Sequence, residues 1–497
     1  MRSNNTTVVW LAALGTAALG AAILFSAEAG INWPIWVAAA SLSVIVARYV
    51  SAKKVESPLL ILLAWALILA VRFAISDTPF IRALIVLSDA MLLGLAMITL
   101  GVASWSDLSA KLLAAVPWLA PVRVLGGTAR EVTATPRSFS SSRTRSLAIG
   151  SVLSVLMIVV LVGLLGSADP VISWSTDHIA AWLPDWSFPP RVLFFAFLLA
   201  LTLGANSIAA RQMAPNIPRY PELSVKPTLG VTEQRMLLWS SAVVLWLFVL
   251  LQASYLVHSP PTAAGSGVTF AEFARRGFGQ LSFAATLVGA IILILEYARP
   301  FTATERERAT LRHLELALIV ALELILVSAF RRVILYEQAY GFTTARLVAQ
   351  AYMIAMALAL VALALEIGRE RISIAFGRRV AEIALGVFTV LALWNFEGWI
   401  VNRNIDRAQA TGKFDALYAS RLSNDAIPTL VRRRAEIPQP ARDSVDLRFA
   451  CKRVSAERRW FEWNRSVNLA EAALRSWQRP SCPKPTVRSS ELTPVPD

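Results

Sequence analysis

Asp89 in "IVLSDAMLLG" and Glu323 in "IVALELILVS" each lie near the middle of a long apolar run. A charged group at mid-bilayer depth costs roughly 2.5 to 3.5 kcal/mol on insertion scales, and such residues serve proton relays, ion coupling or buried pairs. A partner for Glu323 must come from another helix, because Arg331 sits about 12 Å further along its own. Arg72 and Arg346 are the candidates. The same carboxyls, protonated or hydrogen bonded, would otherwise only lock helices together. Glu296, Glu366, Glu382 and Glu397 fall near the ends of apolar runs, where carboxylates reach the interface.

A second constellation is "YEQAYGFTTARLVAQAYM", Tyr336 to Met353, between two strongly apolar runs. Tyr336 and Tyr340 suit headgroup depth. Gly341 can take the left-handed conformation that stops a helix, and Thr343 can cap the next. Arg346 then falls in a first helical turn, where the dipole disfavours a cation. It therefore calls for an anionic partner: Glu337, Glu323, a lipid phosphate or a ligand. Asp169 in "LLGSADPV" and Arg275 and Arg276 in "TFAEFARRGFGQL" are expected on the same face. The latter segment opens with a capping box, Thr269 with Glu272. It reads as a short amphipathic helix in the interface that turns into the following span.

Other chemistry is missing. There is no glycine-rich phosphate loop, HExxH or CxxC, and 3 histidines with 2 cysteines are too few for a soft-metal site. Asp169, Asp177 and Asp185 do not have the spacing of a calcium loop. Neither a metal nor a cofactor is expected.

The elements that position these residues follow from composition. Of 497 residues, 56% are hydrophobic and 16% charged, and mean hydropathy is +0.56. Apolar runs of about 20 residues recur, the length a bilayer demands of a helix. The alternation of barrel strands is absent, so the fold class is all-α, a polytopic transmembrane helix bundle. The net charge of +15 lies in connections beside apolar runs, as cytoplasmic membrane loops require, and does not point to nucleic acid.

Eleven spans are predicted: 8–25, 33–50, 57–76, 80–102, 147–165, 192–209, 236–257, 281–298, 314–330, 347–367 and 380–401. The first follows Arg2 and precedes Ala27-Glu28-Ala29, a signal-peptide-like pattern, but its apolar stretch is long enough to read as a retained helix. Every connection on one side carries more Lys and Arg than its neighbours on the other, which places the N-terminus in the cytoplasm. The C-terminal part is then extracytoplasmic. Residues 1–146 hold the first spans and a basic loop, 147–401 a membrane core, 402–483 a small helical domain and 484–497 a disordered tail. Cys451 and Cys482 both fall in the exported part, which fits a disulfide.

Several of these segments also carry a resemblance. "YEQAYGFTTARL", "LLGSADPV", "LFVLLQASYL", "TFAEFARRGFGQL" and "WNFEGWIVNRNIDRAQATGKFDALYASRLSNDAIPTL" occur in series between Leu164 and Leu430. Together they resemble a family of bacterial multi-pass membrane proteins known as a domain of unknown function (number 4173, akin to 4153). The family pattern often has a proline where Phe396 stands. The resemblance implies a membrane protein and no particular activity.

The first functional expectation is a non-enzymatic scaffold or sensor of the bacterial cytoplasmic membrane, with an outward recognition surface. Its partners would be membrane lipids and an envelope protein or small ligand. The second is a secondary transporter coupled through Asp89 and Glu323, against which stands the lack of an inverted repeat. The third is a lipid- or glycan-modifying enzyme using Asp169 and Arg275.

Overall fold

The computed structural model describes residues 2–100, 105, 110–134, 188–211, 229–257, 270–297, 303–369, 376–452, 458–478 and 480–482. These residues are helical, with no strand among them. Among the described residues, eight helices are long and apolar enough to cross a membrane, or nine if one bent pair counts as a single span. The protein is a polytopic transmembrane helix bundle.

The chain forms two compact units. The first comprises Met1–Ala74, Leu84–Arg219 and Arg459–Trp463. Its helices are α1 (Arg2–Ile23), α2 (Asn32–Val50), α3 (Ser57–Ala70), most of the short α4 (Arg72–Ile75) and of α5 (Pro79–Ile98), α6 (Ala110–Ala134) and α7 (Phe188–Arg211). Helix α7 packs along α1, α2 and α6. Small residues permit the α6–α7 approach, for a Cβ on Gly204 would lie 2.1 Å from the Val124 carbonyl oxygen. Without a hydrophobic force between helices in lipid, such close backbone packing is what holds them. Thr128 adds a hydrogen bond from its hydroxyl to the Ala200 carbonyl, 2.5 Å.

The second unit comprises Ile75–Ala83, Tyr220–Arg458 and Asn464–Asp497. It contains α8 (Val231–Val257), α9 (Phe270–Tyr297), α10 (Glu305–Tyr340), α11 (Thr344–Gly368), α12 (Phe376–Leu393) and α13 (Phe396–Thr411). The smaller α14 (Ala416–Arg421), α15 (Ile427–Arg432), α16 (Ala441–Ala450) and α17 (Arg465–Ser476) follow. The 36-residue α10 opens on a capping box between Thr304 and Glu307. Leu318, Leu322, Leu326, Ala329 and Val333 repeat at helical spacing along it. They form a core with Ile292 and Leu295 of α9 and Met353, Leu360 and Leu363 of α11.

Three expectations need correction. The eleventh predicted span is not one helix: α12 and α13 meet at 66°. Asn395 stops the run because its side-chain oxygen accepts from the Gly398 amide and caps α13. Phe396, where the family pattern often has proline, is thus the first helical residue, the position that best tolerates proline. The expected interfacial helix before the eighth span is instead continuous with it, since α9 runs unbroken from Phe270 to Tyr297. The ninth predicted span is the middle of α10, which extends beyond it at both ends. The fifth, 147–165, lies outside the described residues.

Candidate functional site

The Tyr336–Met353 segment is a hairpin whose side chains largely bind one another. Gly341 ends α10 with φ +89° and ψ 167°. That is a positive-φ conformation suited to glycine, but extended rather than the left-handed helical one expected. Its amide donates to the Glu337 carbonyl at 2.7 Å. Arg346 donates to the Gly341 carbonyl and stands 4.1 Å over the Tyr336 ring, which packs on Tyr340 at 4.9 Å. A carbonyl and a ring face therefore receive this cation, rather than Glu323. Glu337 is buried and accepts from the Gln350 amide at 2.9 Å. It lies beyond the apolar stretch ending at Phe330. Burial pushes its carboxyl up to about 6, against the opposing pull of Gln350 and Arg346.

The rest of the hairpin is held from α13 and α14. Asn404 grips the main chain of one residue on both sides: its oxygen accepts from the Phe342 amide at 2.6 Å, and its nitrogen donates to the Phe342 carbonyl at 2.9 Å. A Cβ at position 341 would lie 2.8 Å from that Asn404 oxygen, so glycine is required twice over. Arg407 donates to the carbonyls of Gln338, at 2.8 Å, and of Ala339. These belong to the last turn of α10, whose carbonyls have no partner within the helix. Thr343 makes no side-chain cap. The Tyr418 hydroxyl takes that role, accepting from the Thr344 amide at 2.8 Å.

A second knot in the same unit ties "RLSNDAIP" to the turn before α5. Asp425 accepts from the Ser76 hydroxyl, the Asp77 amide at 2.8 Å and the Thr78 hydroxyl at 3.0 Å. Asn424 donates to Asp77, which also pairs with Arg82 at 2.6 Å. Glu397 is buried and accepts from the Ser423 amide at 2.8 Å. It thus builds the knot instead of reaching an interface. Glu366 is likewise buried and paired, with Arg379. Burial lowers the Lys452 ammonium, while Asp77 and Glu397 oppose that shift.

In the first unit, segment 459–463 holds the turn between α1 and α2. Glu462 accepts from the Glu28 amide at 3.1 Å, and the Trp463 carbonyl accepts from the Ile31 amide at 3.0 Å.

The family model for the domain of unknown function DUF4153 matches residues 59–433. The chain belongs to the DUF4153 family. The comparison supports number 4153 and not 4173. Searches of curated proteins and of solved structures find no match. The DUF4153 region contains both halves of the hairpin clamp and both halves of the Asp425 knot. Sequence reasoning singled out the hairpin but missed Asn404, Arg407, Tyr418 and Asp425, although all four stand in the longest segment of the resemblance.

Asp89, on α5 in the first unit, accepts from the Trp33 indole at 2.8 Å. Arg72 is buried in α4. Glu323 is half-buried on α10, and its Oε1 has no partner among the described residues. Asp169 lies outside the described residues, and for Arg275 and Arg276 only the helical backbone is described. Cys451 and Cys482 are paired in the structure with Cα atoms 4.8 Å apart, within the span a disulfide requires.

Proposed function

We propose that this DUF4153 protein is a non-enzymatic membrane scaffold whose C-terminal helices form an outward-facing recognition cap. One observation carries the reading: the family-signature residues are used to bind each other. Asn404, Arg407 and Tyr418 hold the 336–344 hairpin, and Asp425 holds the 76–78 turn. A catalytic or transport motif would instead point its polar groups at a substrate space.

Sidedness is supported by alternation along the chain. The 76–78 turn and the 336–344 hairpin, which touch the tail in the second unit, are on the side opposite the basic 103–146 loop in the predicted topology. The 26–31 turn, held by 459–463 in the first unit, belongs to that same set. With the basic loop cytoplasmic, the tail is extracytoplasmic, in a compartment where Cys451 and Cys482 can stay bonded. Leu417, Leu447 and Leu469 stay exposed on the tail helices, which suits a surface that meets a partner.

Complementation of a deletion strain separates this reading from ion-coupled transport. Asp425→Ala should release the tail and lose function, whereas Glu323→Leu should keep it, since a buried carboxyl is often replaceable by apolar packing. Loss of function in a normally folded Glu323→Gln protein, with Asp425→Ala active, would favour the transporter.

A further inference from the structure

The described residues of the first unit line a half-open cavity of about 630 Å³ between the end of α1 and α2, α3, α5, α6 and α7. Its volume falls within the roughly 300–1,000 Å³ of small-molecule sites. The walls are almost wholly apolar, with Met97, Pro117, Phe194, Phe197 and Leu198 among them. Asp89 and Trp33 bring the notable polar groups to this wall.

Asp89 is 1% exposed. Its Oδ2 takes the Trp33 indole hydrogen at 2.8 Å, while its Oδ1 is buried with no hydrogen-bond partner among the described residues. Leaving a buried polar atom unpaired is unfavourable, and more so when it is charged. Thr202 and Ser43, also at the wall, are already bonded: Thr202 to the Leu198 carbonyl at 2.8 Å, Ser43 to the Ala40 carbonyl at 2.9 Å. The Trp36 indole nitrogen, also at the wall, is buried with no hydrogen-bond partner among the described residues, so the cavity presents an apolar space with one unanswered carboxyl oxygen and one unanswered indole donor.

We infer that this cavity is a binding site for a neutral, membrane-soluble amphiphile: a hydrocarbon body with a hydroxyl head that meets Asp89 Oδ1. A hydroxyl can both donate and accept, so it matches the carboxyl whether ionised or protonated. A cationic head would also meet it, but burying an ammonium carries a desolvation penalty of several kcal/mol. A hydrocarbon with no head leaves Oδ1 unanswered. The site goes beyond the scaffold reading and does not depend on it, because no residue of the hairpin clamp or the Asp425 knot lines the cavity.

The full chain in lipid nanodiscs, labelled with a photoreactive dodecanol analogue, provides the test. Label should map to cavity residues such as Met91 and Met97, and Ala40→Phe, which fills the space, should reduce it. Unlabelled 1-dodecanol should compete about fivefold better than tridecane, the factor a single neutral hydrogen bond supplies. Asp89→Leu should erase that preference, and the near-isosteric Asp89→Asn should retain most of it. Three results would each overturn the inference: label mapping elsewhere, equal competition by dodecanol and tridecane in the natural protein, or dodecylammonium competing best.

Discussion

Arg346 illustrates what a residue type discloses and what it hides. A cation in a first helical turn needed an answer, and the sequence showed the need without showing the Gly341 carbonyl and Tyr336 ring that meet it. Asn404 was harder to foresee, because its two bonds go to the main chain of a residue remote in sequence. Asn404→Ala should strand that amide and carbonyl and cost about 2 kcal/mol, read as increased protease sensitivity of the hairpin. Gly341→Ala combines a positive φ with a contact at 2.8 Å and should destabilise by about 1 to 3 kcal/mol in the same assay. Glu337 makes the hairpin pH-dependent. Its folded pKa of about 6 stands above the ordinary glutamate value of 4.5, so the folded state holds the proton more tightly. Stability should be greatest below about pH 4.5 and fall by up to about 2 kcal/mol as pH rises through 6. In Glu337→Gln that slope should vanish, which denaturation at pH 5 and pH 7.5 would reveal.

At the scale of elements, hydropathy located eight spans that the structure also contains, because span length is dictated by the bilayer and readable from composition. Breaks were less legible. The run from 380 to 401 is mostly apolar, with Glu382 and Glu397 near its ends, and the Asn395 cap marks where α13 parts from α12. Conversely, the charged "EFARR" segment suggested a separate helix, although nothing in it interrupts the backbone ladder of α9. The sequence suggests a disulfide staple across the tail elements, and the structure brings its two cysteines within bonding reach. Cys451 and Cys482, 31 residues apart, would in the oxidised protein stabilise the tail by about 3 to 4 kcal/mol in the chain-entropy model. A Cys451→Ser/Cys482→Ser protein should show that loss in thermal unfolding of the tail. Full alkylation of both thiols in unreduced natural protein would contradict the bridge.

For the whole molecule, the fold class was plain from composition, whereas the site was only half visible. In the hairpin clamp one partner stood in a conspicuous motif and the other was an ordinary Asn, Arg or Tyr whose role depends on tertiary proximity; in the knot neither Asp425 nor the 76–78 turn stood out for its chemistry. The central claim is that these contacts hold a recognition cap on the extracytoplasmic side. Single cysteines in a Cys451→Ser/Cys482→Ser background, exposed to a membrane-impermeant maleimide in intact spheroplasts, test it most directly. Lys413→Cys, on the tail, should label at once, and Arg137→Cys, in the basic loop, should label only after permeabilisation. Labelling of both before permeabilisation, or of Arg137→Cys alone, would contradict the account.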